Sequence, residues 1–482
     1  MPASMALRSI LVAKDVAPRS PDCGTLHTMN ASAIALNRFG LGARSDGSLP
    51  SDPRGDLLAQ VAAAQSLAAP WQQTARTPEL LEPWLAQQRA FRQAPEDQRG
   101  GIREAYLRQA RVTYTMAVGA RMDSALQSTS PFVERLVHFW SNHFAVSVDK
   151  VLIVGLAGAF ENDAIRPQVL GRFEDLLLSA LRHPAMLLFL DQAQSVGPRS
   201  TVAVRQAARS GRPRGLNENL AREIMELHTL GVRSGYTQND VTELAKALTG
   251  WTLPSDESPG KPSASFRFVP ALHEPGTRTV VGRNYSDQGE RQAEAIIRDL
   301  AAAPATARHI AFKLARHFVA DDPPHELVTR LAAKFQQTGG DLPSLYRELI
   351  DSPEAWRATG EKFKSPWDWM VSSLRALGRQ SLPPAQIIPL MAQLGQPVWR
   401  PGSPAGYDDL SATWAAPDAL LRRVEIAQRL VAQADRHFDA RVLAERILPQ
   451  GLRDTTARAI ASAESGTTSL ALLLVSPEFL RR

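Results

Sequence analysis

Residues 131–144 read PFVERLVHFWSNHF, and this stretch decides the fold class. Its apolar residues, among them Leu136, Val137, Phe139, Trp140 and Phe144, cover most of a helix, while Glu134, His138 and Asn142 fall at i, i+4 and i+8. At the helical repeat those three make one polar line on an otherwise apolar rod. Such a helix belongs inside a protein. A polar line buried there must find partners, because an unsatisfied buried group costs about 1–3 kcal/mol. His143 stands five residues beyond His138, about 140° around the helix, so the two histidines do not form an i, i+4 chelating pair.

Working outward, the same periodicity predicts helices at about 78–94, 97–127 and 151–165, a shorter one over Phe173–Leu181, and others at about 216–231 and 238–249. Further helices are expected at about 290–302, 304–318, 324–338, 342–350, 365–378, 417–434, 438–446, 455–463 and 467–474. Between Trp251 and Gly289 the texture changes. Phe266–Phe268 and Thr277–Val281 alternate with the period of a strand, and Glu274-Pro-Gly276 is a turn signal, so a small β-hairpin is expected here. Residues 44–56 and the stretch 194–215, which holds five arginines, read as polar loops. The fold class is therefore mainly α, a large bundle-like domain with a small inserted β-hairpin. The organisation is a disordered tail 1–29, a helical half 31–250, the insert 251–289 and a second helical half 290–482, together one continuous domain over 31–480.

The 482 residues are 44% hydrophobic and 22% charged, which is ordinary globular composition. No apolar run approaches the roughly 20 residues that span a bilayer, so membrane insertion is not expected. The formal net charge of +6 is small for this length, and basic residues alternate with acids instead of forming a stripe. Nucleic-acid binding is not expected, and no recognisable module supports it. Only eight of the 55 basic residues are lysines. That excess of arginine fits either phosphate contacts or the composition bias of a GC-rich genome. Cys23 is the only cysteine, which rules out an intramolecular disulfide and a thiolate metal cage. The apolar stretch Leu7–Ala13 is interrupted by Arg8 and makes a poor export signal. Cytoplasmic residence is the default, with the periplasm as the alternative.

Four groups are candidates for chemistry. The first is the line through Glu134 and His138. The second lies in residues 215–231, GLNENLAREIMELHTLG, where Glu218, Arg222, Glu223 and Glu226 share a polar arc opposite an apolar stripe. Glu223 and Glu226, at i, i+3, would share a proton or a cation with Arg222 tuning their charge, and the same pattern also fits an ordinary surface network. The third is His273, expected on a turn rim. With Glu134, His138 and Glu226 it would form a divalent metal set, and Glu134, His138, Arg222, Glu223 and Glu226 would be the catalytic set. The fourth is the aromatic segment with Trp399, Arg400, Tyr407 and Asp408, which suits a sugar-stacking or peptide-binding groove, or a packing role that pins a proline-rich stretch. The central expectation is that the edges 134–142 and 218–226 face one another across a shared cleft. There is no phosphate loop, dinucleotide fingerprint or nucleophile elbow.

These residues carry a resemblance. Leu36–Gly42, His138–Phe144, His183–Leu187, Asn217–Glu223 with Glu226, Gly235–Val241, Ala247–Trp251, His273–Gly276 and Trp399–Tyr407 occur in an order that resembles the bacterial domain-of-unknown-function 1800 family over about 31–480. The resemblance implies no defined reaction. It implies an uncharacterised protein, either an enzyme with a Glu/His helical site acting on a glycan or cell-envelope polymer, or a non-enzymatic partner of a neighbouring gene product. That neighbour would belong to the sulfatase-like domain-of-unknown-function 1501 family. Relatives often carry export signals, and none is evident in this sequence. Many relatives have Phe where this chain has His228, Trp at the place of Tyr407 and Asp at that of Glu274.

Overall fold

The computed structural model describes residues 30–63, 68–210, 215–254, 266–358, 362–434, 438–449 and 451–482. The expected tail 1–29 lies outside the described residues.

Five helices position the site: α1 (Glu96–Gln127), α2 (Pro131–His143), α3 (Gln238–Leu248), α4 (Pro304–Phe318) and α5 (Pro366–Ala376). Proline opens α2, α4 and α5 at the first turn, where its missing N–H costs nothing. The α3 start is closed by a reciprocal cap between Thr237 and Asp240. Eleven of the thirteen α2 residues are buried, and all of α5 is, so both run through the interior and not along its face. An aromatic cluster of Phe39, Phe132 and Phe318 joins α2 to α4, and the Trp140 indole donates to the Tyr346 hydroxyl at 2.7 Å. One cluster of buried apolar residues runs from Ile34 to Leu480.

The protein is mainly α, as the periodicity predicts, and the helices expected at 290–302 and 304–318 form with those bounds. Two short antiparallel pairs are the only sheets among the described residues: β1 (Trp251–Thr252) with β2 (Arg267–Phe268), and β3 (Arg278–Val280) with β4 (Arg283–Tyr285). A hairpin is present, but its pairing differs from the expected one. It turns at Val281-Gly282, both at positive φ (47° and 72°), the conformation that matches strand twist in a two-residue loop. The expected turn at 274–276 is instead anchored inward. His273 Nδ1 lies 2.9 Å from the Thr249 carbonyl, the Glu274 N–H donates to the Thr249 hydroxyl, and Arg199 donates to both Glu274 carboxylate oxygens.

Two loop expectations also change. Thr201–Ser210 is helical within the arginine-rich stretch, and Pro53–Ala62 begins a helix capped by Asp52 inside the expected loop 44–56. Pro384–Gln393 adds a helix that the periodicity missed. The expected helix 216–231 is shorter: Asn219–Glu223 passes into a π-turn, Ile224–His228. No described helix is long and apolar enough to cross a membrane.

Candidate functional site

A cavity of about 340 Å³ opens between the C-terminal half of α2, the last turns of α4, the start of α5 and the segment 396–409, with Arg121 of α1 closing one side. Its walls mix aromatic rings with ionisable groups, the composition of a ligand site.

The deepest support is Glu161, which is fully buried. One of its oxygens accepts from the Ser141 hydroxyl (2.8 Å) and the Trp399 indole (3.0 Å), and Arg121 pairs with it at 2.9 Å. The Arg121 guanidinium also lies over the Trp367 ring (4.4 Å) and the Trp399 ring (5.3 Å), so one cation ties two aromatic walls together. Trp399 holds a left-handed backbone (φ 48°), a strained conformation for a large side chain of the kind that collects at functional sites.

Along α2 each residue of the polar line meets a partner, although His138 Nε2 makes no hydrogen bond among the described residues. Arg166 grips Glu134 through two hydrogen bonds of 2.6 and 2.7 Å. Burial alone would raise the Glu134 pKa, but the Arg166 charge and hydrogen bonds, with help from His138, hold its carboxyl well below the usual range. His138 Nε2 lies 3.5 Å from Glu134, and the Trp367 indole donates to His138 Nδ1 at 3.3 Å. Burial, then the Arg121 charge, lower the His138 pKa and keep it neutral. The chain Arg166–Glu134–His138–Trp367 therefore fixes an aromatic wall of the cavity. Asn142 completes the line by clamping the Tyr407 backbone, accepting its N–H at 2.7 Å and donating to its carbonyl at 2.9 Å.

On the opposite wall, His317 Nδ1 is 2.8 Å from Asp409 Oδ2, and His317 Nε2 is buried with no partner among the described residues. Burial would raise the Asp409 pKa, but His317, Lys362 and Arg482 hold it well down. Burial lowers the His317 pKa, against the pull of Asp409. Behind this pair a buried charge network continues through Arg482 to Asp368 and Arg135, at 3.2 and 3.1 Å.

The structure thus brings together two groups that the sequence reading kept apart. His138 from the helical set and Trp399, Tyr407 and Asp408 from the aromatic segment line one cavity. Arg400 is held outside by Asp149 at 2.5 Å. The expected partner edge is elsewhere. Arg222 bridges Glu218 and Glu226 at 3.4 Å each and donates to Gln238 on α3, a half-exposed ladder that lines no part of the cavity. Glu223 is half-buried, and burial and Glu226 raise its pKa. The 134–142 and 218–226 edges satisfy separate partners, so the shared cleft between them is not formed. His273 is buried on Thr249, not displayed on a rim. The metal set Glu134, His138, Glu226 and His273 is therefore dispersed, and no group of three His, Cys, Asp or Glu among the described residues is arranged to hold a metal ion.

The reading of the residues missed Glu161, Arg121 and His317, and within the candidate stretch ending at Asp409 it singled out the neighbouring Asp408. Glu161 sits in a π-turn, Phe160–Ile165, which breaks the helical period that would expose its role. Asp409, the second acid of Tyr407-Asp-Asp, and the spacing of Lys313, Arg316 and His317 on one helical face were available signals.

Fold and cavity together define a class: a helical protein whose interior helices enclose a polar, aromatic-walled cavity. The chain matches the model of the family described as protein of unknown function (DUF1800) over residues 34–481. It belongs to that family. No curated protein and no solved structure matches it, and nothing in these comparisons names a partner from the sulfatase-like family.

Proposed function

We propose that the protein is an enzyme performing acid–base chemistry on a glycan or cell-envelope polymer, with the cavity as its active site. The observation that carries this reading is the His317–Asp409 pair. A carboxylate that accepts from Nδ1 selects the tautomer with a bare Nε2, and that nitrogen is the base. The imidazole takes a proton from a hydroxyl or water held in the cavity, and Asp409 stabilises the imidazolium that results. Its lowered pKa keeps His317 in the basic form at neutral pH. The rings of Trp367, Trp399 and Tyr407 supply apolar faces of the kind on which sugars stack.

Glu134 and His138, the acid–base candidates of the sequence, become positioning residues in this reading. His138 Nδ1 accepts from the Trp367 indole and Nε2 stands 3.5 Å from Glu134 without a hydrogen bond among the described residues, so in this reading His138 orients Trp367. Arg222, Glu223 and Glu226 have no part in the reaction, and no metal step is invoked. The alternative, a non-enzymatic assembly partner, has less support. The aromatic segment, which would serve as its peptide-binding groove, places Trp399 and Tyr407 on the cavity wall.

The test is release of reducing ends from a panel of bacterial cell-envelope polysaccharides. Wild type is expected to act on one of them, and His317→Gln and Asp409→Asn to lower that rate by about 10²-fold or more while remaining folded. Absence of activity on the whole panel, or turnover by His317→Gln at the wild-type rate, overturns the reading.

A further inference from the structure

Each acid and each cation on the cavity wall is held by a hydrogen bond or an ion pair, except for one cation. Arg121 is answered by Glu161, and Arg316 Nε donates to the Asp321 carbonyl at 3.0 Å. Among the acids, Asp368 is answered by Arg135 and Arg482, Asp409 by His317 and Lys362, and Asp408 accepts from the Thr413 hydroxyl. Lys313 lines the same cavity, yet makes no hydrogen bond or ion pair within 4 Å among the described residues.

An ammonium drawn partly out of water without a partner is costly, and a ligand anion is the group that would relieve it. Lys313, Arg316 and His317 stand at i, i+3 and i+4 on α4. An anion seated on Lys313 would therefore lie about one helical turn, roughly 5 Å, from the bare nitrogen of His317. We propose that the ligand of this cavity carries an anionic group that docks on Lys313, so that the substrate class is an acidic glycan, bearing a carboxylate or a sulfate. This rests on the cavity being the glycan site.

The surroundings make the test clean. Burial lowers the Lys313 pKa to about 8, with Asp409 opposing and Arg316 assisting. The neighbouring imidazoles stay neutral across pH 6.5–9.5, since burial takes His228 to about 3, His309 to about 4 and His143 well below its ordinary value. His317 is likewise lowered, and the phenol of Tyr114 is raised to about 12 and that of Tyr407 higher still. Lys364, lowered to about 7, lies behind Asp368 and not on the cavity wall, and its titration is common to wild type and Lys313 variants.

The experiment is calorimetric titration with three probes, glucuronate, inorganic sulfate and glucose, on wild type, Lys313→Met and Lys313→Arg. The expected result is that glucuronate binds wild type at least as well as sulfate and better than glucose, that Lys313→Met weakens this at least about tenfold, and that Lys313→Arg retains it. Anion affinity should fall at least about tenfold between pH 7 and pH 9.5 in wild type and stay flat in Lys313→Met. Thermal unfolding of each variant shows that the fold is kept. Failure of both anions to bind wild type, or equal binding to Lys313→Met, overturns the proposal. Sulfate binding on Lys313 that neither sugar can match would retain the anion site and sink the glycan reading, so the two failures are distinguishable.

Discussion

Asn142 and Tyr407, 265 positions apart, are joined by a two-point hydrogen bond that fastens the rim of the cavity to its central helix. Gly406 completes the joint. Its φ of 83° is open to glycine, and a Cβ there would collide with the Asn142 carbonyl oxygen. Asn142→Ala leaves the Tyr407 N–H and carbonyl without partners. It is expected to lower stability by about 1–3 kcal/mol and to speed amide exchange across residues 396–409. Unchanged exchange in that segment would show that other contacts hold the rim.

Glu161 has no water to turn to, so its partners decide whether its charge is tolerated. Arg121→Met removes the paired cation and leaves a buried carboxylate hydrogen-bonded only by Ser141 and Trp399, with Arg166 as a further charge nearby. Breaking a buried pair from one side costs about 3–5 kcal/mol. Urea unfolding should show a loss of that order, and adding Glu161→Gln to Arg121→Met should recover part of it. A single-variant loss under about 1 kcal/mol would mean that Glu161 is solvated in a way its surroundings do not suggest.

His228 supplies a pH dependence. Neither ring nitrogen has a partner among the described residues, and burial lowers its pKa to about 3. An unfolded histidine titrates near 6.5, so below that pH the unfolded chain gains a proton that the folded chain refuses. Stability is therefore lost as pH falls, by about 2 kcal/mol from this residue at pH 5. His183 and His309, lowered to about 3 and about 4 mainly by burial, act in the same direction. His228→Phe is expected to be more stable than wild type, with the gap wider at pH 5 than at pH 7.5 in denaturant titrations. An equal gap at both values would contradict a neutral buried imidazole.

What the sequence made legible divides by range. Periodicity located α4 to the residue, because its apolar face repeats without interruption, and the polar line of α2 pointed to His138 and Asn142. The aromatic segment pointed to Trp399, Tyr407 and Asp408. Periodicity tells which face of a helix is polar, but not what stands opposite. The expected counterpart at 218–226 turned out to serve α3 as a half-exposed ladder, while the true counterpart came from residues some 265 positions from Asn142. His317 and Asp409 are 92 positions apart and meet only through tertiary packing. The strand pairing failed for a local reason: Val281-Gly282 takes the hairpin turn, and His273 and Glu274 are drawn onto Thr249 instead.

The most direct test of the account is nitrogen-15 NMR of the His317 imidazole at pH 7, before and after addition of a cell-envelope glycan fragment. The account predicts a neutral ring with the proton on Nδ1 and an unprotonated Nε2, whose resonance moves when the fragment enters. A ring charged at pH 7, a proton on Nε2, or a signal that no fragment disturbs would contradict it.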